Sequence, residues 1–285
     1  MSDGDLAACI GRTRRIEAVL DPFPARAFAA ALDLERPLAP GDPVPLCWHH
    51  LWFHAPLRAR DTGPDGHERL GLFLPALEGV RRMWAGGRLR FVRPLRLGTR
   101  AVRVSTVRDA RVKRGRSGRL VFVTVEHRIE DEAGLLLVEE QDIVYREPRP
   151  LPAEPPPFTP PLPPVRETVH RPDEVLLFRY SALTWNAHRI HYDRRYAREV
   201  EGYPDLVVHG PLLATWALAL AAETHGAGRI AGFRFRNRTP LFVGRPLRVW
   251  LGAPAGDEVP VWVVGEDARL ALEGAVLLGQ EAEGR

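Results

Sequence analysis

The sequence predicts an α+β fold in which two related units, each a helix with an antiparallel sheet, are joined in one chain. Alternating apolar and polar residues, the pattern of half-buried strands, occupy much of residues 88–145 and 233–278. A short motif also recurs 146 residues apart, with Arg93-Pro94-Leu95-Arg96-Leu97-Gly98 matching Thr239-Pro240-Leu241-Phe242-Val243-Gly244. A proline-rich segment separates the two copies. We therefore expect an internal duplication.

Composition fits a globular protein with a sizeable core. The 285 residues are 45% hydrophobic and 27% charged. The longest apolar run, Leu212–Ala222, is shorter than the roughly 20 residues that cross a bilayer, and residues 1–5 do not resemble a signal peptide. The two cysteines, Cys9 and Cys47, are too few for a disulfide framework and lack metal-ligand spacing. We expect a cytoplasmic protein with no membrane partner.

The excess of basic residues gives a formal charge of +4, which suits an anionic ligand but is equally ordinary for an arginine-rich protein. The most basic stretch, Arg108–Arg119, favours a solvent-exposed hairpin tip. A phosphate-binding loop is the alternative, because arginine forks match phosphate oxygens. The stretch has no interleaved aromatic side chains of the kind that bind nucleic acid. We therefore expect no nucleic-acid partner.

The first half is predicted to begin with a helix over residues 13–34, broken near Pro22. A loop rich in proline and glycine follows, and its Trp48–His54 segment contains three histidines. No Asp, Glu or Cys stands at ligand spacing there, so we expect aromatic packing or a pocket wall and no metal site. Strands are then expected near residues 89–91, 101–104, 120–125 and 135–145.

The proline-rich segment Pro148–Pro164 has ten prolines in 17 residues and is predicted to be an extended polyproline II stretch. It divides the chain into an N-terminal domain of residues 1–147, a linker of 148–164 and a C-terminal domain of 165–285.

Polar, titratable side chains are concentrated in Asn186–Asp193, directly after the apolar-aromatic segment Phe178–Trp185. A helix is predicted to start at Gly210, because Pro211 suits the first helical turn. Its residues Leu212–Ala222 are apolar on nearly every side, which is typical of a buried helix. The free N–H groups and positive dipole end of this helix therefore face the histidines, where they can stabilise an oxygen that gains negative charge.

Residues 178–193 resemble the hydratase motif of the MaoC-like, hot-dog-fold enoyl-thioester hydratases, and His209-Gly210 is similar to the segment that opens their central helix. Residues 82–87, 115–118 and 139–146 are similar to one branch of that family. The branch contains double hot-dog proteins with FAS1-like dehydratase domains, among them the mesaconyl-C4-CoA (3-methylfumaryl-CoA) hydratases and 3-hydroxyacyl-thioester dehydratase 2. The resemblance implies a double hot-dog whose N-terminal copy is degenerate, since that copy lacks the histidine cluster.

One departure from the family motif affects the expected chemistry. The motif reads Asp-x-Asn-Pro-hydrophobic-His-x-Asp, and its last His and Asp fall on His191 and Asp193. Its first Asp, usually taken as catalytic, falls on Asn186, and its Asn falls on His188. The Asp/His pair of the family is therefore replaced by one amide and two imidazoles.

The resemblance implies a role for each of these residues. His191 is the expected general base and acid, because an imidazole exchanges protons near neutral pH. Asn186 would orient the water or the substrate carbonyl, and His188 would be a second proton-transfer group. The Gly210 N–H would donate to the thioester oxygen. The residues expected around the substrate are Tyr180, Trp185, His209, Arg82 and Trp84. Neither a metal nor a cofactor is implied.

The leading prediction is a hydro-lyase that adds or removes water across an α,β-unsaturated acyl-CoA thioester, with 3-methylfumaryl-CoA as the best single substrate. A hot-dog thioesterase is an alternative, although Leu212–Leu220 lacks the carboxylate that such an enzyme uses near its helix. A non-catalytic acyl-thioester binding protein is another, in which the lost Asp marks lost chemistry. The two fused units form a pseudo-dimer, and a homodimer of such chains is also compatible with the resemblance.

Overall fold

The computed structural model describes residues 6–36, 38–115, 118–148 and 156–279. Its strands are β1 (Thr13–Val19), β2 (Arg81–Phe91), β3 (Arg100–Gly115), β4 (Gly118–Asp131), β5 (Gly134–Arg146), β6 (Arg166–His170), β7 (Ile230–Asn237), β8 (Leu247–Leu251), β9 (Glu258–Gly265) and β10 (Leu270–Leu278). Its α-helices are α1 (Pro22–Ala31), α2 (Glu174–Leu183) and α3 (Gly210–His225). Short 3₁₀ turns span Trp48–Leu51, Ala59–Asp61, Arg189–His191 and Ala227–Arg229, and a π-helical turn spans Tyr196–Val200.

All ten strands form one sheet in the order β1-β3-β4-β5-β2-β7-β10-β9-β8-β6. This order reads as two five-strand halves that mirror each other and meet where β2 pairs antiparallel with β7. The repeated motif occupies the same place in each half, since isolated bridges join Pro43 to Arg96 and Val207 to Phe242. The predicted duplication and the α+β fold are therefore confirmed.

The helix α3 is the buried helix that the sequence predicts, and it packs against the strands of the C-terminal half. Leu212, Ala214, Ala217 and Leu218 are completely buried. Each buried leucine contributes about 2 kcal/mol of hydrophobic stabilisation. In the N-terminal half, residues 62–80 form loops and turns at the equivalent position. The described residues of that half therefore have no counterpart of α3, which agrees with the predicted degeneracy of the N-terminal copy.

The prediction of a helix over residues 13–34 is wrong for its first part. Thr13–Val19 is an edge strand paired with β3, and only Pro22–Ala31 is helical. The burial of β1 alternates residue by residue, so Ile16 packs inward because the sheet offers it a neighbouring strand. The helix begins after Asp21, whose carboxylate accepts a hydrogen bond from the Phe23 N–H at 2.8 Å. The strands predicted between residues 89 and 145 are confirmed.

The basic hairpin is formed by β3 and β4, with residues 116 and 117 at its tip lying outside the described part of the chain. Arg108 pairs with Glu126 at 2.5 Å, and Arg111 pairs with Asp109 at 3.3 Å. These partners offset part of the positive charge, which favours a solvated hairpin over a phosphate clamp.

The proline-rich linker is described only in part, because residues 149–155 lie outside the described residues. After them, the Phe158 N–H donates a backbone hydrogen bond to the Ala268 carbonyl at 2.8 Å, so this end of the linker contacts the C-terminal half. The domain boundaries at 147 and 165 stay a prediction. Within the described ranges, no helix has both the length and the apolar character needed to span a bilayer.

Candidate active site

A cavity of about 720 Å³ lies where the two halves of the sheet meet, beside the start of α3. Eight of the nine residues that the sequence predicts for the site line it, namely Arg82, Trp84, Tyr180, Trp185, Asn186, His188, His191 and Gly210. Residues from the N-terminal half line the opposite side. The cavity therefore depends on both copies of the repeat, although the motif lies in one.

His191 is held in a single tautomer. Its Nδ1 lies 2.7 Å from the Val207 carbonyl oxygen, which can only accept, so Nδ1 carries the hydrogen and Nε2 keeps its lone pair. Burial lowers the pKa of His191 to about 4, although the bond to Val207 opposes the shift. The ring is therefore neutral and able to accept a proton throughout the physiological pH range.

His209 lies behind His191 and not on the cavity wall, which corrects the predicted contact with substrate. The two rings stack with centroids 3.6 Å apart, and the His209 side chain is completely buried. Its Nε2 lies 2.8 Å from the Ser181 hydroxyl on α2. Burial, together with the neighbouring His191, holds the pKa of His209 well below its usual value. The residue therefore fixes the plane of the His191 ring and does not face a ligand.

Asn186 and His188 form a tight turn that directs both toward the cavity. The Asn186 Oδ1 accepts the backbone N–H of His188 at 3.1 Å, so its Nδ2 is left to donate to a ligand or water. An aspartate could accept the same bond, so the change from the family residue preserves the turn and adds a donor. The His188 ring meets His191 edge to face at 5.6 Å. Burial holds the pKa of His188 well below its usual value.

His67 is a cavity residue that the sequence analysis missed. Its ring centroid lies 4.5 Å from that of His188, although the residue belongs to the N-terminal half. Burial, with the charge of Arg82, holds the pKa of His67 well below its usual value. Nothing around His67 in the sequence resembles a motif, and only tertiary contact brings it to the histidines.

The loop that carries His67 is fastened to the motif by backbone contacts. The Arg189 N–H donates to the Asp65 carbonyl at 2.9 Å. Gly66 has φ +91°, and a Cβ there would lie only 1.8 Å from the Ala187 carbonyl oxygen. Only glycine fits this close approach in this conformation. The loop thus closes one side of the cavity in place of a central helix.

Gly210 begins α3 at the cavity, where unpaired N–H groups and the positive end of the helix dipole coincide. A Cβ on Gly210 would lie 2.9 Å from the Asn237 Nδ2 and 3.5 Å from the Trp84 ring. Asn237 donates to the Trp84 carbonyl at 2.8 Å, while its Oδ1 is buried without a partner. The helix start is therefore packed closely, yet it still faces space that a polar ligand atom can fill.

On the expectation from the sequence that the Gly210 N–H donates to a thioester oxygen, Gly210→Ala should lower kcat/KM for thioester hydration about 10- to 100-fold, because the new methyl must displace Asn237 and shift that N–H. The measurement is steady-state kinetics with circular dichroism to verify the fold. Gly226→Ala, at the other end of α3 with nothing within 4 Å of its Cβ, is the control for a glycine substitution in the same helix. Its positive φ gives it a stability cost, but its kcat/KM should stay within about twofold of wild type. Equal kcat/KM for both variants would contradict the role of Gly210.

The Trp48–His54 segment contributes to the cavity wall, as predicted, but it also has an acidic partner that local spacing did not reveal. Glu139 on β5 is almost completely buried, and its two oxygens lie 3.0 Å from His49 Nε2 and 3.0 Å from His50 Nε2. These three residues are the kind of group that can hold a metal ion. Each ring lies within hydrogen-bonding distance of one carboxylate oxygen, and the expectation of no metal site stays a prediction. The partner was missed because it stands about 90 residues away, on strand β5.

The Glu139 carboxylate sets the charge of this group. Burial opposes ionisation of Glu139, but His50 and His49 hold its pKa well below its usual value. Burial also opposes the charged form of His50, yet the carboxylate raises the pKa of His50 to about 10. Burial lowers the pKa of His49 to about 4. The group therefore consists of a buried His50–Glu139 ion pair beside a neutral His49.

Comparison with known proteins gives consistent results over most of the chain. The family model described as hydroxyacyl-thioester dehydratase type 2 matches residues 47–243. A mesaconyl-C(4)-CoA hydratase of Chloroflexus aurantiacus is 47% identical over 98% of this chain and 100% of its own length. A mitochondrial hydroxyacyl-thioester dehydratase type 2 of Schizosaccharomyces pombe is 30% identical over 71% of this chain and 75% of its own.

Solved structures with the same fold have low sequence identity. A MaoC-like dehydratase from Phytophthora capsici superposes with a TM-score of 0.71 at 13% identity, and the match covers 100% of both chains. A conserved Mycobacterium tuberculosis protein described as a double hot-dog has a TM-score of 0.57 at 16% identity, over 95% of this chain and 96% of its own. At this identity the comparison shows the double hot-dog fold alone.

Proposed function

The chain belongs to the hydroxyacyl-thioester dehydratase type 2 family, and from that premise we propose that its cavity hydrates the double bond of mesaconyl-C4-CoA. The enzyme is a hydro-lyase for α,β-unsaturated acyl-CoA thioesters, in agreement with the sequence prediction. The specific acyl group follows from the similarity to the C. aurantiacus enzyme along the whole chain.

The observation that best supports this proposal is the pairing of a neutral imidazole with a helix start at one cavity. His191 presents Nε2 as a lone pair because Nδ1 donates to Val207, and Gly210 presents the N-terminal end of α3. Hydration requires these two functions together, a base for water and donors for the thioester oxygen.

The proposed reaction combines proton transfer at His191 with stabilisation of negative charge at Gly210. His191 Nε2 accepts a proton as a water oxygen forms its bond to Cβ. The π electrons of the double bond move toward the thioester, whose oxygen gains negative charge at the Gly210 N–H. His191 then gives that proton to Cα as the carbonyl re-forms. The substrate has gained one OH at Cβ and one H at Cα, and His191 is neutral again. The negative charge on the bound substrate raises the pKa of His191, which makes it a stronger base in the complex than in the free enzyme.

The neighbouring polar groups have supporting roles in this proposal. The Asn186 Nδ2, free because Oδ1 is engaged by His188, orients the attacking water or the carbonyl. His188 is the second proton-transfer group, and His67 extends the row of neutral imidazoles from the opposite half.

The test is to mix the enzyme with mesaconyl-C4-CoA and to follow the loss of the conjugated-thioester absorbance. We expect saturable loss of absorbance, a hydroxyacyl-CoA product one water heavier by mass spectrometry, and no free thiol. Release of CoA thiol would instead indicate a thioesterase. An unchanged spectrum together with measurable binding would indicate a non-catalytic binding protein.

Cellular location and assembly are also part of the proposal. Cys9 and Cys47 are both free and buried, which fits a reducing cytoplasm.

The exposed apolar side chains Val175 and Phe178 lie on one face of α2 and provide a surface on which two chains could pair as a homodimer.

A further inference from the structure

Arg82 is a cavity-lining cation without an acidic partner in the described part of the chain. On β2, its Nη2 donates to the Glu68 carbonyl at 3.2 Å, and its Nε is buried with no hydrogen-bond partner. The Glu68 carboxylate is already bound by both Nη atoms of Arg14, at 3.0 and 2.6 Å. A guanidinium that is partly desolvated and unpaired is unfavourable until an anion reaches it.

The charges around the cavity leave room for an anionic ligand. The Glu139 charge is offset by His50, and His67 and His188 are neutral next to Arg82. Of the other arginines that line the cavity, Arg14 and Arg238 are paired with glutamates, whereas Arg103 also has a buried Nε without a partner. Burial lowers the pKa of Arg103, but the Glu139 carboxylate opposes that shift, so Arg103 has an acidic neighbour that Arg82 lacks.

Trp84 lies beside the start of α3, two residues after Arg82 on β2. Arg82 and Trp84 share one face of β2, so their Cα atoms are about 6.6 Å apart. The Trp84 ring in turn lies 3.5 Å from the position of a Cβ on Gly210. In an extended four-carbon acyl chain the two carboxyl carbons are about 4 Å apart, as across a trans peptide. With a hydrogen bond at each end, the two donors need to be roughly 10 Å apart or less.

We propose that Arg82 binds the free carboxylate of a four-carbon dicarboxylic acyl group whose other carboxyl is the CoA thioester. The inference rests on the proposed function and deepens it, because in mesaconyl-C4-CoA the free carboxylate is attached to Cβ, the carbon that water attacks. A carboxylate at Arg82 then lies next to His67 and His188, on the side of the cavity where the imidazoles handle water. Arg82 is thus a residue that determines substrate specificity.

The experiment compares two unreactive ligands that differ only at the carboxylate. Succinyl-CoA carries it, and butyryl-CoA has a methyl group in its place, so contributions of the CoA moiety cancel in the ratio of their Kd values. Wild-type enzyme should bind succinyl-CoA at least about tenfold more tightly by titration calorimetry, the usual contribution of a charged hydrogen bond. Arg82→Met should bring the ratio to about one, and Arg82→Lys should retain part of it. Arg103→Met is the matched control and should keep the wild-type ratio.

Three outcomes would overturn the inference. A wild-type ratio near one would mean that the cavity has no carboxylate subsite. An equal loss of affinity for both ligands in Arg82→Met would place Arg82 on the CoA moiety. A ratio that collapses in Arg103→Met and not in Arg82→Met would move the subsite to Arg103. Turnover of mesaconyl-C4-CoA is measured separately, so an intact ratio without hydration would contradict the proposed function and leave the carboxylate subsite standing.

Discussion

His191→Gln is expected to lower kcat for hydration of mesaconyl-C4-CoA about 100- to 10,000-fold, because loss of a general base typically has an effect of that size. Glutamine keeps a polar side chain near the Val207 carbonyl but offers no group that can take up the proton of water. The substitution does not alter the substrate contacts proposed for Gly210 and Arg82, so KM should move much less than kcat. The measurement is steady-state loss of conjugated-thioester absorbance.

The matched control for this substitution is His225→Gln, since His225 is the histidine at the opposite end of α3 and does not line the cavity. Its activity should stay within about twofold of wild type. The wild-type pH profile provides an independent check. Protonation removes the Nε2 lone pair, so kcat/KM should be level near neutrality and should fall about tenfold per pH unit only below about pH 4. Retention of more than a tenth of the activity in His191→Gln would show that another group is the base.

Acidification is expected to destabilise the fold steeply. Burial lowers the pKa of His49, His127, His170 and His191 to about 4, whereas a histidine in the unfolded chain titrates near 6.5. Between these values the unfolded chain binds more protons, so the free energy of unfolding falls as pH falls. Each such histidine contributes about 1.4 kcal/mol per pH unit in this window. His50 has the opposite sign, because its raised pKa stabilises the fold fully below about pH 6.5, and that stability is lost progressively as the pH rises from 6.5 to about 10.

Urea unfolding between about pH 7.5 and about pH 5 measures this slope. His170→Gln is the informative variant, because His170 stacks on Trp216 at 4.4 Å and lies outside the cavity. Below about pH 6 its slope should be smaller than that of wild type by up to about 1.4 kcal/mol per pH unit. A free energy of unfolding that stays constant from neutral pH to pH 5 would mean that these histidines are hydrated and not buried.

The parts of the site that could be predicted from sequence are those encoded locally. Asn186, His188 and His191 stand within six residues, and Gly210 is marked by the proline and the apolar run that follow it. His67 and Glu139 lie far from their partners in sequence and reach them only through strand order and loop docking. No spacing rule reveals such contacts.

The same distinction explains the errors in the fold prediction. Thr13–Val19 has residues that suit either a helix or a strand, and its pairing with β3 decided the outcome. His209 was placed among the substrate residues by the resemblance to the family's helix-opening segment, but a sequence motif does not show on which side of His191 its ring lies. The repeat, in contrast, could be detected because the six-residue segment 93–98 has a similar counterpart at residues 239–244.

Residues 62–80 form loops and turns where the other half has α3, and this difference has an evolutionary consequence. In a dimer of identical single units, any substitution changes both sites, and every residue must serve two positions at once. In this fused chain the two copies have diverged, so one can keep the acid–base residues while the other changes independently to suit a new acyl group. If Arg82 binds the free carboxylate as proposed, exchange of the segment between residues 62 and 84 among relatives should alter the substrate without altering the reaction.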